Sequence, residues 1–363
     1  MKILFCIDTM TKGGAERVIA NLSNMFIKNG DRVSIVTLLK RDSAYELDKK
    51  IIFDTLSIKE GKKNVFSKIY HTIKNIKDMR KYIHNNNFDV VISFLPRASF
   101  YTALAMFGLK CKLIISERND PNSIYKTNFE KFIYKKIYSF ADGFVFQTKD
   151  AQKFFSKRIQ DKSIVIPNPV NDAFYIEKKV LKRKKHIINV GRLTEQKNQE
   201  LLIYSFSEFS EIYDDYKLYI YGEGPLRKKL EQQIKKLNLN DKVFLPGNVD
   251  NIQDKIFDAS MFVFSSDYEG MPNALMEALT LGVPCVSTDC PCGGPRELIT
   301  NNVDGMLVPT NDKKAMVDAM KKIIENDLFE TFSSKSKAKM KNYKIEKINF
   351  KWEKYVKKIV NGG

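Results

Sequence analysis

The chain has 363 residues, of which 43% are hydrophobic and 12% aromatic, a composition that is typical of a folded protein and excludes the disordered class. This length exceeds one comfortable hydrophobic core, so it favours two domains. Lys and Arg outnumber Asp and Glu by 61 to 43, and the formal net charge of +18 indicates a polyanionic partner: nucleic acid, an anionic membrane leaflet or a phosphorylated substrate.

The first half of the chain alternates short apolar strands with helical patterns. The strand-like segments are "KILFCI", "RVSIVTL", "FDVVISF", "CKLIIS" and "GFVFQT", and helices are predicted over Ala15–Asn29 and Val65–Asn85. This alternation predicts βαβ units in a parallel, doubly wound sheet. The first apolar run stops at Asp8, so we interpret it as a strand and not as a secretion signal. No apolar segment reaches the roughly 20 residues of a membrane-spanning helix.

A break at "SIVIPNPVNDAFYIEKKVLKRKK" separates this half from a second one, because it combines prolines with a run of charges. The strand pattern then restarts with "HIINVGR", "YKLYIYGEG", "KVFLPG", "MFVFSS", "PCVST" and "GMLVP". We therefore predict an α/β fold with two doubly wound, Rossmann-like domains, residues 1–170 and 171–345, facing each other across a ligand-binding cleft. Residues 346–363 contain the only Trp in a basic amphipathic helix, which we expect to pack back on the first domain.

The cysteines are odd in number and scattered, so we expect reduced thiols in a cytoplasmic protein. They are Cys6, Cys111, Cys285, Cys290 and Cys292. The last three have a C-x4-C-x-C spacing without a nearby fourth ligand, which is a poor match to a structural zinc site. We predict no metal site here.

The stretch "YEGMPNALMEALTLGVPCV" places Glu269 and Glu277 around a predicted helix start at Pro272 or Asn273. The backbone N–H groups at the helix start, together with the helix dipole, can bind an anion such as a pyrophosphate. Those groups belong to Asn273, Ala274 and Leu275. Glu277 lies one turn further on, where a carboxylate can accept hydrogen bonds from a ribose diol. An alternative interpretation is that Glu269 and Glu277 have no ligand and are simply acids favoured near a helix start by the helix dipole.

The pattern "EGMPNALME" resembles the E-x7-E signature of retaining glycosyltransferases of family four, also called glycosyl transferases group 1. The segments "GGAERV", "PNPVN", "NVGRLTEQKN", "YGEGP", "LPG", "GGPREL" and "NNVDGMLVP" match that family in the same order. The resemblance implies the GT-B fold, a donor-binding second domain and an acceptor-binding first domain. It also implies sugar transfer with retained anomeric configuration and without a metal or other cofactor.

The resemblance also assigns residues to the donor site. Arg192 and Lys197 match the family's cations that contact the diphosphate, and with Glu269 they form the predicted catalytic set. We find no Asp-x-Asp triplet that could hold a divalent ion, so these two cations would neutralise the leaving group. The predicted donor-binding residues are Gly14, Gly191, Val249, Met271, Pro272, Asn273, Ala274, Leu275 and Glu277.

Acceptor binding is predicted at two loops of the first domain. "KGGAER" places Lys12 and Gly13 after the first strand, where glycines allow close backbone approach to a phosphate or sugar. "SERND" follows the strand "KLIIS" and places Arg118 where related proteins often have His, with Glu117 beside it as the alternative participant. Arg118 cannot act as a base, but it could bind an acceptor phosphate. A structural salt bridge involving these two residues remains open.

Basic helices of the first domain indicate where part of the charge acts. "KKNVFSKIYHTIKNIKDMRKYIHNNN" and "IYKTNFEKFIYKKIYSF" mix aromatic and aliphatic residues with lysines, beginning at Lys62 and Lys63. We interpret them as a surface for anionic lipid at the inner face of the plasma membrane, although a solvated basic helix fits the same pattern.

The combined prediction is a hexosyl- or N-acetylhexosaminyltransferase with a UDP-sugar donor and a polyprenyl-pyrophosphate-linked sugar or glycan acceptor. It would act in capsule, O-antigen, exopolysaccharide or protein-glycan synthesis. A nucleotide-sugar 2-epimerase or another enzyme of this fold, such as a glycan phosphorylase, is the alternative. A basic nucleic-acid-binding protein is a third class, but the chain has no recognition motif for nucleic acid, so we predict no such partner.

Overall fold

A computed structural model of the chain describes residues 1–58, 64–178, 180 and 182–362. The chain divides into two compact units. The first unit combines residues 1–169 with residues 345–363, and the second consists of residues 170–344. The first unit is therefore discontinuous in sequence, and the second is one continuous segment.

The first unit contains a seven-stranded parallel sheet with the order β3-β2-β1-β4-β5-β6-β7. Its strands are β1 Lys2–Ile7, β2 Arg32–Thr37, β3 Ile52–Thr55, β4 Val90–Phe94, β5 Lys112–Ser116, β6 Gly143–Phe146 and β7 Ser163–Val165. Its helices before the linker are α1 Gly14–Lys28, α2 Val65–Asn86, α3 Pro96–Met106, α4 Pro121–Ile124, α5 Asn128–Tyr138, α6 Lys149–Lys153 and α7 Lys157–Asp161.

The second unit contains a six-stranded parallel sheet with the order β10-β9-β8-β11-β12-β13. Its strands are β8 Lys184–Val190, β9 Lys217–Tyr221, β10 Val243–Gly247, β11 Ala259–Phe264, β12 Cys285–Thr288 and β13 Met306–Val308. Its helices are α8 Gln199–Ile212, α9 Arg227–Lys236, α10 Ile252–Ile256, α11 Asn273–Thr280, α12 Gly294–Leu298, α13 Lys313–Glu325 and α14 Phe329–Met340. Helix α15, Ile345–Val360, ends the chain in the first unit, and short 3-10 helices cover Asp172–Phe174, Glu195–Lys197 and Lys341–Tyr343.

The strand order reverses once in each sheet, between β1 and β4 and between β8 and β11. At such a point the connections leave the sheet in opposite directions and open a crevice beyond the carboxyl ends of the strands. The central strands are buried on both faces, which explains their continuous apolar sequences. The predicted α/β fold class is confirmed by these two doubly wound sheets.

Two strands were not predicted from the sequence. β3 lies at a sheet edge and alternates exposed with half-buried residues, so it lacks an apolar run. β7 lies in the segment that we interpreted as the break between domains, and that interpretation is wrong for its three residues. They precede the prolines Pro167 and Pro169, and pairing with β6 overrides this local signal.

Helix α15 returns to the first unit, as the sequence predicted. Trp352 is fully buried and stacks on Phe94 at the end of β4, with ring centroids 5.7 Å apart. The Tyr355 hydroxyl accepts a hydrogen bond from the Phe144 backbone N–H at 2.8 Å and donates one to the Lys162 carbonyl. The last residues of the chain thus complete the core formed by the first ones.

No helix among the described residues combines the length and the apolar character that crossing a bilayer requires.

We expect Trp352→Ala to lower the free energy of unfolding of the first unit by about 3–5 kcal/mol, because it leaves a cavity against Phe94. Phe350→Ala is the matched control on the same helix, since Phe350 is 65% exposed, and it should cost less than about 0.5 kcal/mol. Urea denaturation followed by circular dichroism measures both variants. Equal losses in the two variants would contradict the role of Trp352.

Candidate functional site

Two loops of the second unit meet at the point where its strand order reverses. One follows β8 and contains Arg192 and Lys197, and the other follows β11 and contains Glu269. The Lys197 ammonium forms an ion pair with the Glu269 carboxylate, and the two side chains are only 21% and 11% exposed. Lys197 also lies 5.3 Å from the centre of the Phe264 ring. The structure thus joins two of the three predicted catalytic residues.

Hydrogen bonds connect these loops along their length. The Ser265 hydroxyl donates to the Lys197 carbonyl at 2.8 Å, and the Asp267 backbone N–H donates to the Gln196 carbonyl at 2.9 Å. The Gln196 side-chain amide donates to the Tyr268 carbonyl at 2.9 Å. The ion pair therefore rests on a fixed backbone frame. Arg192 is exposed in the same loop and makes no hydrogen bond or ion pair with Lys197 or Glu269 among the described contacts.

Helix α11 begins at Asn273, as predicted, and Pro272 precedes it in an extended conformation. Pro272 offers no side-chain hydrogen bond to the first helical amides, which include those of Ala274 and Leu275. This helix is almost entirely buried, and Glu277 in its second turn is 9% exposed. The N-terminus of α11 follows Glu269 and Met271 directly, so the Glu269 loop leads into a helix start suited to an anion.

A third loop, residues 289–294, supports Glu269. The sequence analysis matched its glycines to the family through "GGPREL" but did not predict this contact. The Glu269 backbone N–H donates to the Pro291 carbonyl at 3.1 Å. A Cβ on Gly294 would lie 1.9 Å from the Gly270 carbonyl oxygen and 2.8 Å from Cδ of Pro272, so only glycine permits this approach. The glycines of "CGGP" were the only signal in the sequence.

The cysteines of this region are buried thiols. Burial, and then the nearby Glu269 carboxylate, raise the pKa of the Cys290 thiol to about 12. Within the described ranges, no group of three or more His, Cys, Asp or Glu side chains is placed to hold a metal ion.

Two more predicted donor residues belong to neighbouring loops of the same sheet. A Cβ on Gly222, which has φ of +131°, would lie 2.1 Å from the Gly191 carbonyl oxygen, so the loop after β9 lies directly on the loop of Arg192. Val249 follows β10 and packs against the apolar core beside α11. The described contacts do not connect Val249 with the Lys197–Glu269 pair.

In the first unit, Lys12 is exposed and Gly14 is the first residue of α1. The Gly13 backbone N–H donates to the Tyr45 hydroxyl at 2.9 Å, and that hydroxyl donates back to the Gly13 carbonyl at 2.6 Å. A phosphate bound at the Gly13 amide would therefore have to displace Tyr45.

Glu117 and Arg118 are both buried after β5, and the salt bridge that we considered for them is absent from the described contacts. Instead, the Glu117 carboxylate accepts hydrogen bonds from the Tyr125 hydroxyl at 2.8 Å and from the Arg118 backbone N–H at 3.1 Å. Burial raises the pKa of Glu117 to about 7.

The Arg118 guanidinium lies over two aromatic rings, 5.1 Å from the centre of Phe94 and 5.7 Å from that of Trp352. None of its three nitrogens has a hydrogen-bond partner among the residues that the structure describes, and burial lowers the pKa of Arg118 to about 9. An acceptor phosphate could contact this guanidinium only after the surrounding side chains move, because the side chain is buried.

Comparison with known proteins covers nearly the whole chain. The model of the family "Glycosyl transferases group 1" matches residues 172–347, and the model of "Glycosyltransferase Family 4" matches residues 12–174. A Campylobacter jejuni protein named N-acetylgalactosamine-N,N'-diacetylbacillosaminyl-diphospho-undecaprenol 4-alpha-N-acetylgalactosaminyltransferase is 31% identical, with 96% of this chain and 97% of that protein covered. A second C. jejuni protein, an alpha-1,4-N-acetyl-D-galactosaminyltransferase named for a diNAcBac-PP-undecaprenol-linked substrate, is 28% identical over 99% of both chains.

Solved structures show the same fold at low identity. Anabaena HepE in complex with UDP has a TM-score of 0.81 at 18% identity and covers 98% of this chain and 100% of that one. The lipopolysaccharide outer core galactosyltransferase WaaB in its apo form has a TM-score of 0.79 at 18% identity, with 100% and 99% covered. The GT-B fold expected from the sequence motifs is confirmed.

We expect Gly294→Ala to push the loop of residues 289–294 away from Gly270, at a cost of about 1–3 kcal/mol in the free energy of unfolding of the second unit. The Glu269 amide should then exchange its hydrogen faster, because its bond to Pro291 is lost. Hydrogen–deuterium exchange of peptides spanning residues 265–275 measures this.

Gly305→Ala is the matched control, since its added Cβ would lie 3.1 Å from the nearest atom. If both variants leave exchange at Glu269 unchanged, residues 289–294 do not position this loop.

Proposed function

The chain belongs to the glycosyl transferases group 1 family, glycosyltransferase family 4, and from this premise we propose that it transfers a sugar from a UDP-sugar to a lipid-linked acceptor. The transfer retains the anomeric configuration and needs neither metal nor other cofactor. The observation that carries the proposal is the Lys197–Glu269 ion pair, formed by two loops beside the N-terminus of α11.

The second unit, for which we proposed bounds of 171–345, binds the donor. Arg192 and Lys197 neutralise the diphosphate together with the first amides of α11, and Glu277 accepts hydrogen bonds from the ribose. Gly191, Met271 and Pro272 bring backbone close to the donor, and the base lies near Val249. The UDP bound in the Anabaena HepE structure supports a uridine donor for this chain.

The ion pair implies an order of events at the site. An incoming diphosphate competes with Glu269 for Lys197, because two phosphate groups carry more charge than one carboxylate. Lys197 then turns to the diphosphate, and the Glu269 carboxylate becomes available to the sugar. Donor binding thus releases the catalytic carboxylate from its ion pair.

The chemistry requires charge stabilisation on both sides of the breaking bond. The bond between the anomeric carbon and the diphosphate oxygen breaks, and a bond to an acceptor hydroxyl oxygen forms on the same face. The hydroxyl proton passes to the leaving diphosphate. Negative charge grows on the diphosphate beside Arg192 and Lys197, and positive charge grows on the sugar ring beside Glu269. Fixed charges of this kind lower the barrier because they need no reorganisation.

We propose that the first unit, residues 1–170 with the helix 346–363, binds a polyprenyl-pyrophosphate-linked sugar or glycan. Lys12, Gly13, Glu117 and Arg118 are its proposed acceptor residues, and Gly14 is a proposed donor-binding residue. The undecaprenol-linked substrates in the names of the two C. jejuni proteins support this acceptor class and an N-acetylhexosamine or hexose as the transferred sugar. Capsule, O-antigen, exopolysaccharide or protein-glycan synthesis would use such a product.

A lipid-linked acceptor requires the enzyme at the membrane, and one face of the first unit suits that role. Helix α3 packs against both α2 and α5, so the two basic helices are joined into one surface. This surface exposes large aromatic side chains: the exposed fraction is 82% for Phe66, 71% for Phe129 and 65% for Phe132. Lysines surround them, although Lys62 and Lys63 lie outside the described residues. We propose peripheral association with the inner face of the plasma membrane through this surface.

We expect Glu269→Gln to bind UDP at least as tightly as the unchanged chain, because the diphosphate no longer competes with a carboxylate for Lys197. The variant should nevertheless lose roughly 100-fold in single-turnover rate, because the Glu269 carboxylate acts mainly in the transition state. Glu277→Gln should instead weaken UDP binding by about tenfold or more, since it removes a charged acceptor for the ribose. Calorimetry with UDP measures the binding effect. Transfer from UDP-N-acetylgalactosamine and UDP-hexoses to an undecaprenyl-diphosphate-linked saccharide, in excess EDTA, measures the rate.

Glu208→Gln is the matched control, because Glu208 forms an exposed ion pair with Lys313 and such pairs contribute little to stability. A rate that needs added magnesium or manganese would refute metal-independent transfer. Turnover of the UDP-sugar without acceptor would favour the epimerase, and an unchanged rate in Glu269→Gln would reject the assigned role.

We expect the enzyme to bind vesicles that contain phosphatidylglycerol and to leave them in high salt. Replacing the exposed Lys68, Lys74 and Lys77 of α2 with Gln should weaken binding by about tenfold or more, because each Lys contributes on the order of 1 kcal/mol. Co-sedimentation measures the bound fraction. The matched control replaces Lys228, Lys235 and Lys236 of α9 with Gln, and equal losses in both triple variants, or equal binding to neutral vesicles, would contradict the proposed surface.

A further inference from the structure

A groove of about 1000 Å³ lies in the first unit between strand β7 and helix α15. The floor includes Ile164 of β7 and the rings of Phe350 and Tyr355, and Phe350 is 65% exposed. This surface has no role in the proposed transfer reaction. A large aromatic side chain exposed beside an open apolar groove is a feature of interaction sites.

Lysines outnumber the one acidic residue, Glu346, among the side chains that line the groove. Lys351, Lys354 and Lys358 are exposed at its edge, and none of them forms an ion pair within the part of the chain that the structure describes. Neighbouring Lys357, by contrast, is paired with Glu353. The aliphatic stems of the three lysines extend the apolar floor while their charges attract acidic groups.

The other wall of the groove is a sheet edge. β7 pairs only with β6 in the described sheet. Phe144 N–H donates to the Lys162 carbonyl and Ile166 N–H donates to the Phe146 carbonyl, so alternate residues of this segment pair with β6. In a parallel sheet the backbone groups of successive residues point alternately to the two sides of the strand. Ser163 and Val165 therefore direct their backbone N–H and C=O groups to the open side. An extended peptide can form main-chain hydrogen bonds there.

The position of the groove argues against a lipid occupant. The connection from β1 to β2 runs in one direction along the sheet, and those from β3 to β4 and from β4 to β5 run in the other. Right-handed crossovers in opposite directions place their helices on opposite faces, so α1 lies on one face and α2 and α3 lie on the other. α15 packs on α1. The groove therefore lies away from the aromatic and basic surface of α2, α3 and α5. A lipid chain would also leave the β7 backbone groups without partners.

A second copy of this chain is also a poor occupant. A symmetric dimer through the groove would bring the same row of lysines face to face, and like charges would oppose it.

We propose that this groove binds an extended, acidic segment of a partner protein, which adds as a strand to the edge of β7. Its apolar side chains lie on Ile164 and Phe350, and its carboxylates pair with Lys351, Lys354 and Lys358. The groove distinguishes peptide sequences by every second side chain, because alternate side chains of an added strand face it. Addition of an extended peptide to an exposed sheet edge is a known mode of peptide recognition. Sugar transfer does not depend on this contact.

The probe is a fluorescein-labelled seven-residue peptide that alternates Glu and Val, measured by fluorescence polarisation with the full chain. We expect saturable binding that is lost when Lys replaces each Glu and when alternate peptide nitrogens are methylated. Replacing Lys351, Lys354 and Lys358 with Glu should weaken binding by about tenfold or more. Phe350→Ser should weaken it as well, and its exposed position keeps the fold intact.

The control replaces Lys228, Lys235 and Lys236 of α9 with Glu, which changes the net charge equally and should leave binding within about twofold. Circular dichroism verifies that each variant is folded. The proposal is overturned if the acidic peptide does not bind, if methylation has no effect, or if dodecyl phosphate or phosphatidylglycerol vesicles occupy the groove in its place. Activity is not read in this experiment, so its failure leaves the proposed transfer reaction untouched.

Discussion

Parallel strands impose the constraint on which the rest of this structure depends: every strand must be followed by a crossover, so the loops that leave the carboxyl ends collect at one edge. In the second unit this edge brings together the loops after β8, β11 and β12. Lys197, Glu269 and Pro291 come from three distant parts of the chain, yet they meet because their strands are neighbours. The chemistry of the site is a consequence of strand order.

Elements that depend on local sequence could be predicted. Buried parallel strands have continuous apolar sequences, so β1 and β11 were evident, and Pro272 marked the start of α11 because proline suits the first turn of a helix. The spacing of Trp352 with its apolar neighbours predicted an amphipathic α15. β7 could not be found in this way, because three residues before a proline carry no periodic signal.

Contacts between side chains distant in sequence could not be predicted. Adjacent Glu117 and Arg118 suggest an ion pair, but the carboxylate accepts from Tyr125 and the guanidinium lies against two rings, one of them from the C-terminal helix. The close approach of Gly294 to Gly270 likewise leaves no trace beyond the glycine itself. The E-x7-E pattern pointed to the Glu269 loop, whereas the partner that Glu269 has in the structure depends on the pairing of β8 with β11.

The return of α15 has a consequence for biosynthesis. The ribosome synthesises residues 170–344 before it reaches Trp352, so the whole second unit is made while the first unit still lacks its final helix. During that interval Phe94 and the backbone beside Phe144 have no cover from Trp352 and Tyr355. The growing chain therefore leaves this apolar face open until Trp352 and Tyr355 have been added. Premature termination after residue 344 but before Trp352 would leave the second unit whole and the first unit with a permanently exposed core.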